Sequence, residues 1–422
     1  MCFHGTLALP TLFEPPSGGT APNKFLLQIL CRSRLIYTSA KMPSYALHSA
    51  LFLWQCIAAT GARFPSLWFG TIPSAGFPSP SQYDFSNYSL VLLGFTYPDP
   101  HNEQTLQQNA EKIQLHSSPA PPVYVYRNAH LALSSFDLQA RAAATLPSTA
   151  WIRNSTGLGG VCRLPPDGSP AYNFSEAAAA SFFVNALVRE AASEGSAIAG
   201  VFFDEVDWAT CGFLQSECGG GFTSADVEGL WRATAAAMAS ATALLAAAGK
   251  ASVHSLFSAF SRNLGSIDSQ PCRHSEEAWL AAMPQSSSPP IARFYGDLGW
   301  YGVNGQNASV CAAYIENMID EASRQPPVGK VVRAVLSASS SEQDVEALAA
   351  AALLSYDEHT HIGFSTGWGA SDWRWWPGVM GREIGAPLGG AVRSGAAWVR
   401  EFSMVTAEYS CETREGRLTW RA

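Results

Sequence analysis

The chain has 422 residues, of which 47% are hydrophobic, 11% aromatic and only 14% charged, with a net charge of −8. That length suits one large domain or two ordinary ones, and the acidic balance with no basic cluster argues against a nucleic-acid-binding protein. Thirteen Trp and thirteen Tyr supply flat apolar faces, for stacking or for a large core.

Either Met42 is the true start, or the first 62 residues together read as a processed leader. Residues 1–41 are rich in Pro, Ser and Gly, with scattered Lys and Arg and no clear periodicity. Met42 then opens MPSYALHSALFLWQCIAATGARF, a short apolar run ending in small residues. This is the pattern of a secretory signal with cleavage after Ala62; the alternative is an ordinary buried helix over 45–59. The run is too short, and too interrupted by His48 and Gln55, for a transmembrane span. Removing 1–62 takes Cys2, Cys31 and Cys56 from the nine cysteines and leaves Cys162, Cys211, Cys218, Cys272, Cys311 and Cys411. An even count fits an oxidising compartment, with Cys211 and Cys218 the expected local pair. Sequons at Asn87, Asn154, Asn173 and Asn307 fit a secreted glycoprotein.

From residue 63 onward, short apolar runs alternate with helical stretches. Strands are expected at 66–72, 88–97, 121–128, 198–206, 251–258, 291–297, 329–338 and 360–366. The clearest helices are 175–193, capped by Ser175, and 223–248, capped by Ser224 or Asp226. Continuous apolar runs suit strands buried on both faces, and the helices between them suit parallel crossovers. The expected fold is therefore a (β/α)8 TIM barrel, one domain with long βα loops over 63–422. The competing doubly wound sheet lacks a Gly-rich nucleotide fingerprint after its first strand.

Barrel chemistry sits where strands run out at their C-terminal ends. The fourth strand ends in GVFFDEVDW, with Asp204, Glu205, Asp207 and Trp208. The fifth offers His254, Ser255 and Ser258, and the sixth runs into FYGDLGWYG, with Tyr295, Asp297 and Trp300. After the eighth comes GFSTGWGASDWRWWPG, with Trp368, Asp372 and Trp373. Aromatic faces around carboxylates are what a carbohydrate cleft requires, since sugar C–H faces stack while hydroxyls seek polar groups; the plainer reading is a loop pinned by its aromatics.

Glycoside hydrolysis generally uses two carboxyl groups, roughly 5–5.5 Å or about 6.5–9.5 Å apart according to stereochemistry. Successive strand residues face opposite ways, so Asp204 points inward with Phe202 and Glu205 points outward, unless the strand has already ended. The expected catalytic pair is Asp204 and Asp297. The sequence leaves their roles open: aromatic neighbours Phe294, Tyr295 and Trp300 could desolvate Asp297 as the proton donor, which would leave Asp204 as nucleophile or base. Glu205, Asp207, Trp208, His254, Tyr295, Trp300, Trp368, Asp372 and Trp373 are the candidate substrate contacts.

GVFFDEVDW, the upstream AWIRNSTG and AYNFSEAAAASFFVNALV, and the C-terminal GREIGAPLGGAVRSGAAWVREF together resemble a group of glycoside hydrolase barrels. These are the hypothetical glycosyl hydrolases and the endo-α-1,4-polygalactosaminidase-like proteins. The closing segment matches through Gly385, Pro387, Leu388, Gly389, Trp398, Arg400, Glu401 and Phe402. The resemblance implies a (β/α)8 fold and hydrolysis of O-glycosidic bonds, with Asp204 at the matching acidic position; it does not reach a second catalytic residue. A chitinase-type acidic signature is not met, because its last three acidic positions fall on Phe202, Asp204 and Val206.

Other chemistries have less behind them. Asp204, Glu205, Asp207 and His254 could offer oxygen and nitrogen ligands to calcium or magnesium, but no zinc-type Cys/His spacing occurs. No Gly-x-Ser-x-Gly elbow accompanies His254 and Ser255. No metal or cofactor is expected, and the expected partner is a carbohydrate, with neither nucleic acid nor membrane for the mature chain. The rival reading is a catalytically inactive carbohydrate-binding protein on the same scaffold.

Overall fold

A computed structural model describes residues 62–72, 84–94, 101–153, 160–164, 168–191, 193, 196–207, 218, 221–256, 279–283, 291–296, 298, 307–324 and 328–421. Residues 1–61 of the expected leader lie outside these residues, as do Trp208, Cys211, Cys272, Asp297 and Trp300. Residues Ala58–Ala422 form one compact unit.

Eight parallel strands follow one another round the sheet in chain order. They are β1 (Leu67–Thr71), β2 (Leu90–Gly94), β3 (Val123–Asn128), β4 (Gly200–Asp204), β5 (Ala251–Ser255), β6 (Ile291–Tyr295), β7 (Gly329–Val335) and β8 (Thr360–Ser365). Each falls within one of the eight apolar runs, trimmed at its ends. Parallel bridges Ser66 to Ile362 and Thr71 to Gly369 join β8 back to β1, and the Ile362 N–H donates to the Pro65 carbonyl at 2.6 Å. The sheet is thus a (β/α)8 TIM barrel, and closure removes the exposed edges that an open sheet would present.

Two of the crossover helices show how the local sequence works. Helix α1 (Ala177–Phe182, continued by a π segment Phe183–Val188 and by Arg189–Ala191) sets Phe183 against Phe203 of β4, ring centroids 5.9 Å apart. Its N-cap is Glu176 without a side-chain cap, not Ser175; the Ser175 N–H donates instead to the Asn173 side chain. Helix α2 (Ser224–Ala247) is capped by Thr223 rather than Ser224 or Asp226, in a reciprocal pairing with Asp226. By length and composition α2 is apolar enough to span a bilayer, but here it is the crossover between β4 and β5.

Strand alternation divides the barrel wall cleanly. Phe69, Phe202 and Phe294 point into the lumen and meet edge to face, with centroids 5.2, 5.6 and 5.0 Å apart. Phe203 and its register partner His254 face outward, as do Arg293 and Lys330. Behind β6 lies helix α3 (Ala308–Ala322), whose buried Glu321 pairs with Arg293 and accepts from the Tyr295 hydroxyl. Burial and the neighbouring Glu321 carboxylate hold the Tyr295 phenol well above its usual range.

A four-stranded antiparallel sheet follows the barrel: β9 (Val392–Ser394), β10 (Ala397–Glu401), β11 (Val405–Ser410) and β12 (Glu415–Trp420). It packs on helix α4 (Glu342–Leu353). Gly416 permits this approach, since a Cβ there would lie 2.7 Å from the Ala347 carbonyl oxygen. A disulfide from Cys311 on α3 to Cys411 fastens the sheet to the barrel. The second described disulfide joins Cys162 to Cys218, so Cys218 does not pair with Cys211. The loops after β3 and β4 are neighbours on the barrel rim, and that adjacency overrides the shorter sequence separation.

The Arg293–Glu321 pair gives a stability prediction. Glu321→Ala takes the counter-charge from a buried guanidinium and should cost about 3–5 kcal/mol in urea denaturation. The double change Arg293→Met with Glu321→Met should recover most of that loss. A loss below about 1 kcal/mol for Glu321→Ala would contradict a load on this pair.

Candidate active site

The C-terminal ends of β3, β4 and β5 converge above the phenylalanine floor. From β3 come Tyr126 and Asn128, from β4 Asp204, and from β5 Ser255, all tied by backbone bonds. Ala129 N–H donates to the Asp204 carbonyl at 2.9 Å, and Val206 N–H to the Ser255 carbonyl at 3.1 Å. The Asp204 carboxyl receives the Ser255 and Tyr126 hydroxyls and the Glu205 N–H at 3.0 Å. Burial raises its pKa above the ordinary carboxylate value, and those hydrogen bonds oppose the rise without cancelling it. A carboxyl biased towards its protonated form suits a proton donor.

The strand stops at Asp204, and Glu205 adopts a left-handed φ of 57°. This conformation costs a non-glycine residue roughly 1–2 kcal/mol. Alternation therefore does not carry Glu205 to the outside. Its Oε2 accepts from Asn128 Nδ2 at 2.9 Å, and the same Nδ2 donates to the Tyr126 hydroxyl at 3.0 Å. Asn128 Oδ1 accepts the N–H groups of His130 and Leu131 at 2.8 and 2.6 Å, which fixes the amide orientation. Asp207, 5% exposed, is buried in the turn just beyond.

Across the lumen, Arg333 of β7 donates through Nε to Ser365 Oγ at 2.8 Å and through its Nη atoms to the Gly296 and Gly367 carbonyls, each at 3.3 Å. Its guanidinium carbon lies 3.7 Å from the Trp368 ring centroid. Trp368 also meets Phe69 edge-on at 5.2 Å and remains 47% exposed, an aromatic face presented at the barrel mouth.

Four sequence-expected contacts lie elsewhere. His254 is fully buried outside the lumen, bonded to Thr242 Oγ1 and Trp279 Nε1, both at 3.1 Å, and burial pushes its pKa down to about 3. Tyr295 faces α3 and Glu321. Trp373 is buried against Phe69 in the seam between β1 and β8; a Cβ on Gly363 would lie 2.6 Å from its ring. The Asp372 carboxylate holds its own loop, accepting the Gly369 N–H at 2.8 Å. The tryptophan-rich stretch thus gives one exposed platform and one buried wedge, while Trp375 packs on Tyr88 at 5.3 Å. Sequence reasoning passed over Tyr126, Asn128 and Arg333, and set Ser255 aside for its neighbour His254. Among the described residues no group of three or more His, Cys, Asp or Glu is placed to hold a metal ion.

No family model matches the chain, and no curated protein matches it. Among solved structures the chain is similar to a family GH13_31 enzyme, at 9% identity and a TM-score of 0.42, covering 72% of this chain and 65% of that one. A cyclic α-maltosyl-(1→6)-maltose hydrolase from Arthrobacter globiformis matches at 11% identity and TM-score 0.35, over 82% and 83% of the two chains. A GH36 α-galactosidase from Geobacillus stearothermophilus matches at 11% identity and TM-score 0.35, over 83% and 48%. All three are glycoside hydrolases. The chain spans 65% of the length of the GH13_31 enzyme, and the barrel assignment rests on the strand order and closure described above.

The Asp204 environment fixes a pH-dependent stability. The unfolded chain ionises this carboxyl near pH 4, whereas the fold holds its proton to higher pH. The resulting penalty therefore grows from about pH 4 up to the folded-state midpoint and persists above it. Asp204→Asn should raise the melting temperature at pH 7, and the gain should shrink as the pH falls towards about 4. A gain that ignores pH would show that the carboxyl carries no such strain.

Proposed function

We propose that the chain is a secreted glycoside hydrolase that cleaves O-glycosidic bonds of a poly- or oligosaccharide by a two-carboxylate mechanism. The observation that carries this reading is a half-buried Asp204 with a raised pKa, at a barrel strand end, in a lumen whose mouth presents the exposed Trp368. In this reading Asp204 delivers a proton to the leaving glycosidic oxygen. Asp297 is the proposed opposing carboxylate, acting as nucleophile or general base. Trp368 stacks on a sugar ring, and Trp208 and Trp300 are further proposed sugar contacts. The endo-α-1,4-polygalactosaminidase-like resemblance points to amino-sugar polymers and galactosides as the first substrates to try. The Cys162–Cys218 and Cys311–Cys411 disulfides support an extracellular destination.

The test is a reducing-end assay across amino-sugar polymers and galactosides, with product stereochemistry followed by NMR. Asp204→Asn should lower turnover by about 10²–10⁴-fold while oligosaccharide affinity holds. Undiminished turnover in that variant removes Asp204 from the chemistry. A wild-type protein that binds oligosaccharides across the panel and releases no reducing ends is instead a binding protein. For the platform, Trp368→Ala should raise KM about tenfold, the equivalent of about 1.4 kcal/mol, with kcat little changed; an unchanged KM removes Trp368 from the cleft.

A further inference from the structure

Asp204 and Glu205 are consecutive in sequence, and on an unbroken strand they would stand on opposite faces. The left-handed Glu205 and the end of β4 at Asp204 remove that separation. We propose that the two carboxyls form one coupled acid pair, bridged by Asn128 and Tyr126, so that the proton on Asp204 answers to the charge on Glu205.

The bridge has a defined polarity. Asn128 Oδ1 is occupied by two backbone N–H groups, so Nδ2 must face Glu205 Oε2 and the Tyr126 oxygen. The Tyr126 hydroxyl accepts from that amide, which leaves its own hydrogen for Asp204. Burial, reinforced by the charges of Asp204 and Glu205, holds the Tyr126 phenol well above its usual range, so it stays a donor wherever the carboxyls titrate. Three hydrogen bonds of about 3 Å each hold the two carboxyls within about 9 Å. At that range, between partly buried groups, like charges shift one another's proton affinity.

Little else among the described residues competes for this role. Around Asp204 the lumen presents Phe69, Tyr126, Ser255, Phe294 and Arg333. Ser255 and Phe294 do not titrate, and Arg333 is bonded to its own rim. Asp207 is buried in the adjoining turn. The catalytic meaning of the pair rests on the glycosidase reading. There Glu205 keeps Asp204 protonated as a donor, and Tyr126 and Asn128 are positioning residues. The coupling itself does not depend on that reading.

The experiment follows Asp204 directly, by NMR titration of protein labelled with ¹³C at the aspartate carboxyls. Its resonance is assigned by its loss in Asp204→Asn. Tyr126→Phe keeps the ring packed on Phe202 and deletes a donor to the carboxylate, so the Asp204 midpoint should rise by about one pH unit. Glu205→Gln keeps an acceptor for Asn128 and deletes a like charge, so the midpoint should fall by about one unit. A merely structural role does not produce opposite shifts. An unmoved midpoint in Glu205→Gln, or shifts of the same sign in both variants, overturns the proposal. Should Tyr126→Phe fail to fold, Glu205→Gln alone decides. If the shifts occur in a protein that releases no reducing ends, the pair stands and the glycosidase reading falls. Where turnover is found, the limb of its pH–rate profile that reports Asp204 should move with the NMR midpoint.

Discussion

The Asn128 carboxamide commits both acceptor positions to the backbone of His130 and Leu131 and both hydrogens to Tyr126 and Glu205, all within 3.0 Å. A buried amide with every position occupied cannot rotate or flip without losing several hydrogen bonds at once. It therefore fixes the course of the loop leaving β3, the direction of the Tyr126 hydroxyl and the seat of Glu205. The register between β3 and β4, which pairs Asn128 with Asp204, brings this anchor to the acidic strand end. Moving the register by one residue would turn Asp204 into the wall and Phe203 into the lumen.

The site is costly to maintain. Glu205 sits in a backbone conformation that glycine would adopt freely, and Asp204 is half-buried against its preference for water. Both costs fall on one strand end, and the surroundings offset them. Phe69, Phe202 and Phe294 fill the lumen below, and the Cys162–Cys218 bond joins the two rim loops that flank the site. Among the described residues of the barrel, Glu205 is the non-glycine residue with a left-handed φ, and strain of this kind clusters at functional sites in proteins generally.

The barrel was legible because strands buried on both faces must be apolar throughout, and eight such runs stood out between helical stretches. Which face each residue takes was much less legible. Alternation gives parity within a strand, but where a strand ends decides the next residue, and nothing in the residue type marks Glu205 as left-handed. The same ambiguity favoured His254 over Ser255, although the register with Phe203 turns His254 outward to Thr242 and Trp279. Cys218 illustrates the limit for pairing, since its partner lies 56 residues away across adjacent loops. Composition marked the tryptophan stretch as unusual, but it could not separate the platform Trp368 from Trp373. That distinction depends on the space left by Gly363 at the β1–β8 seam.

The Cys311–Cys411 bond encloses α3, β7, α4, β8 and most of the C-terminal sheet in a single covalent ring spanning 100 positions. Those elements include the strand that closes the barrel against β1 and the loop that carries Trp368. A backbone break anywhere inside that ring leaves two pieces that stay joined through sulfur. A nick in the last quarter of the barrel thus leaves one covalent molecule rather than two.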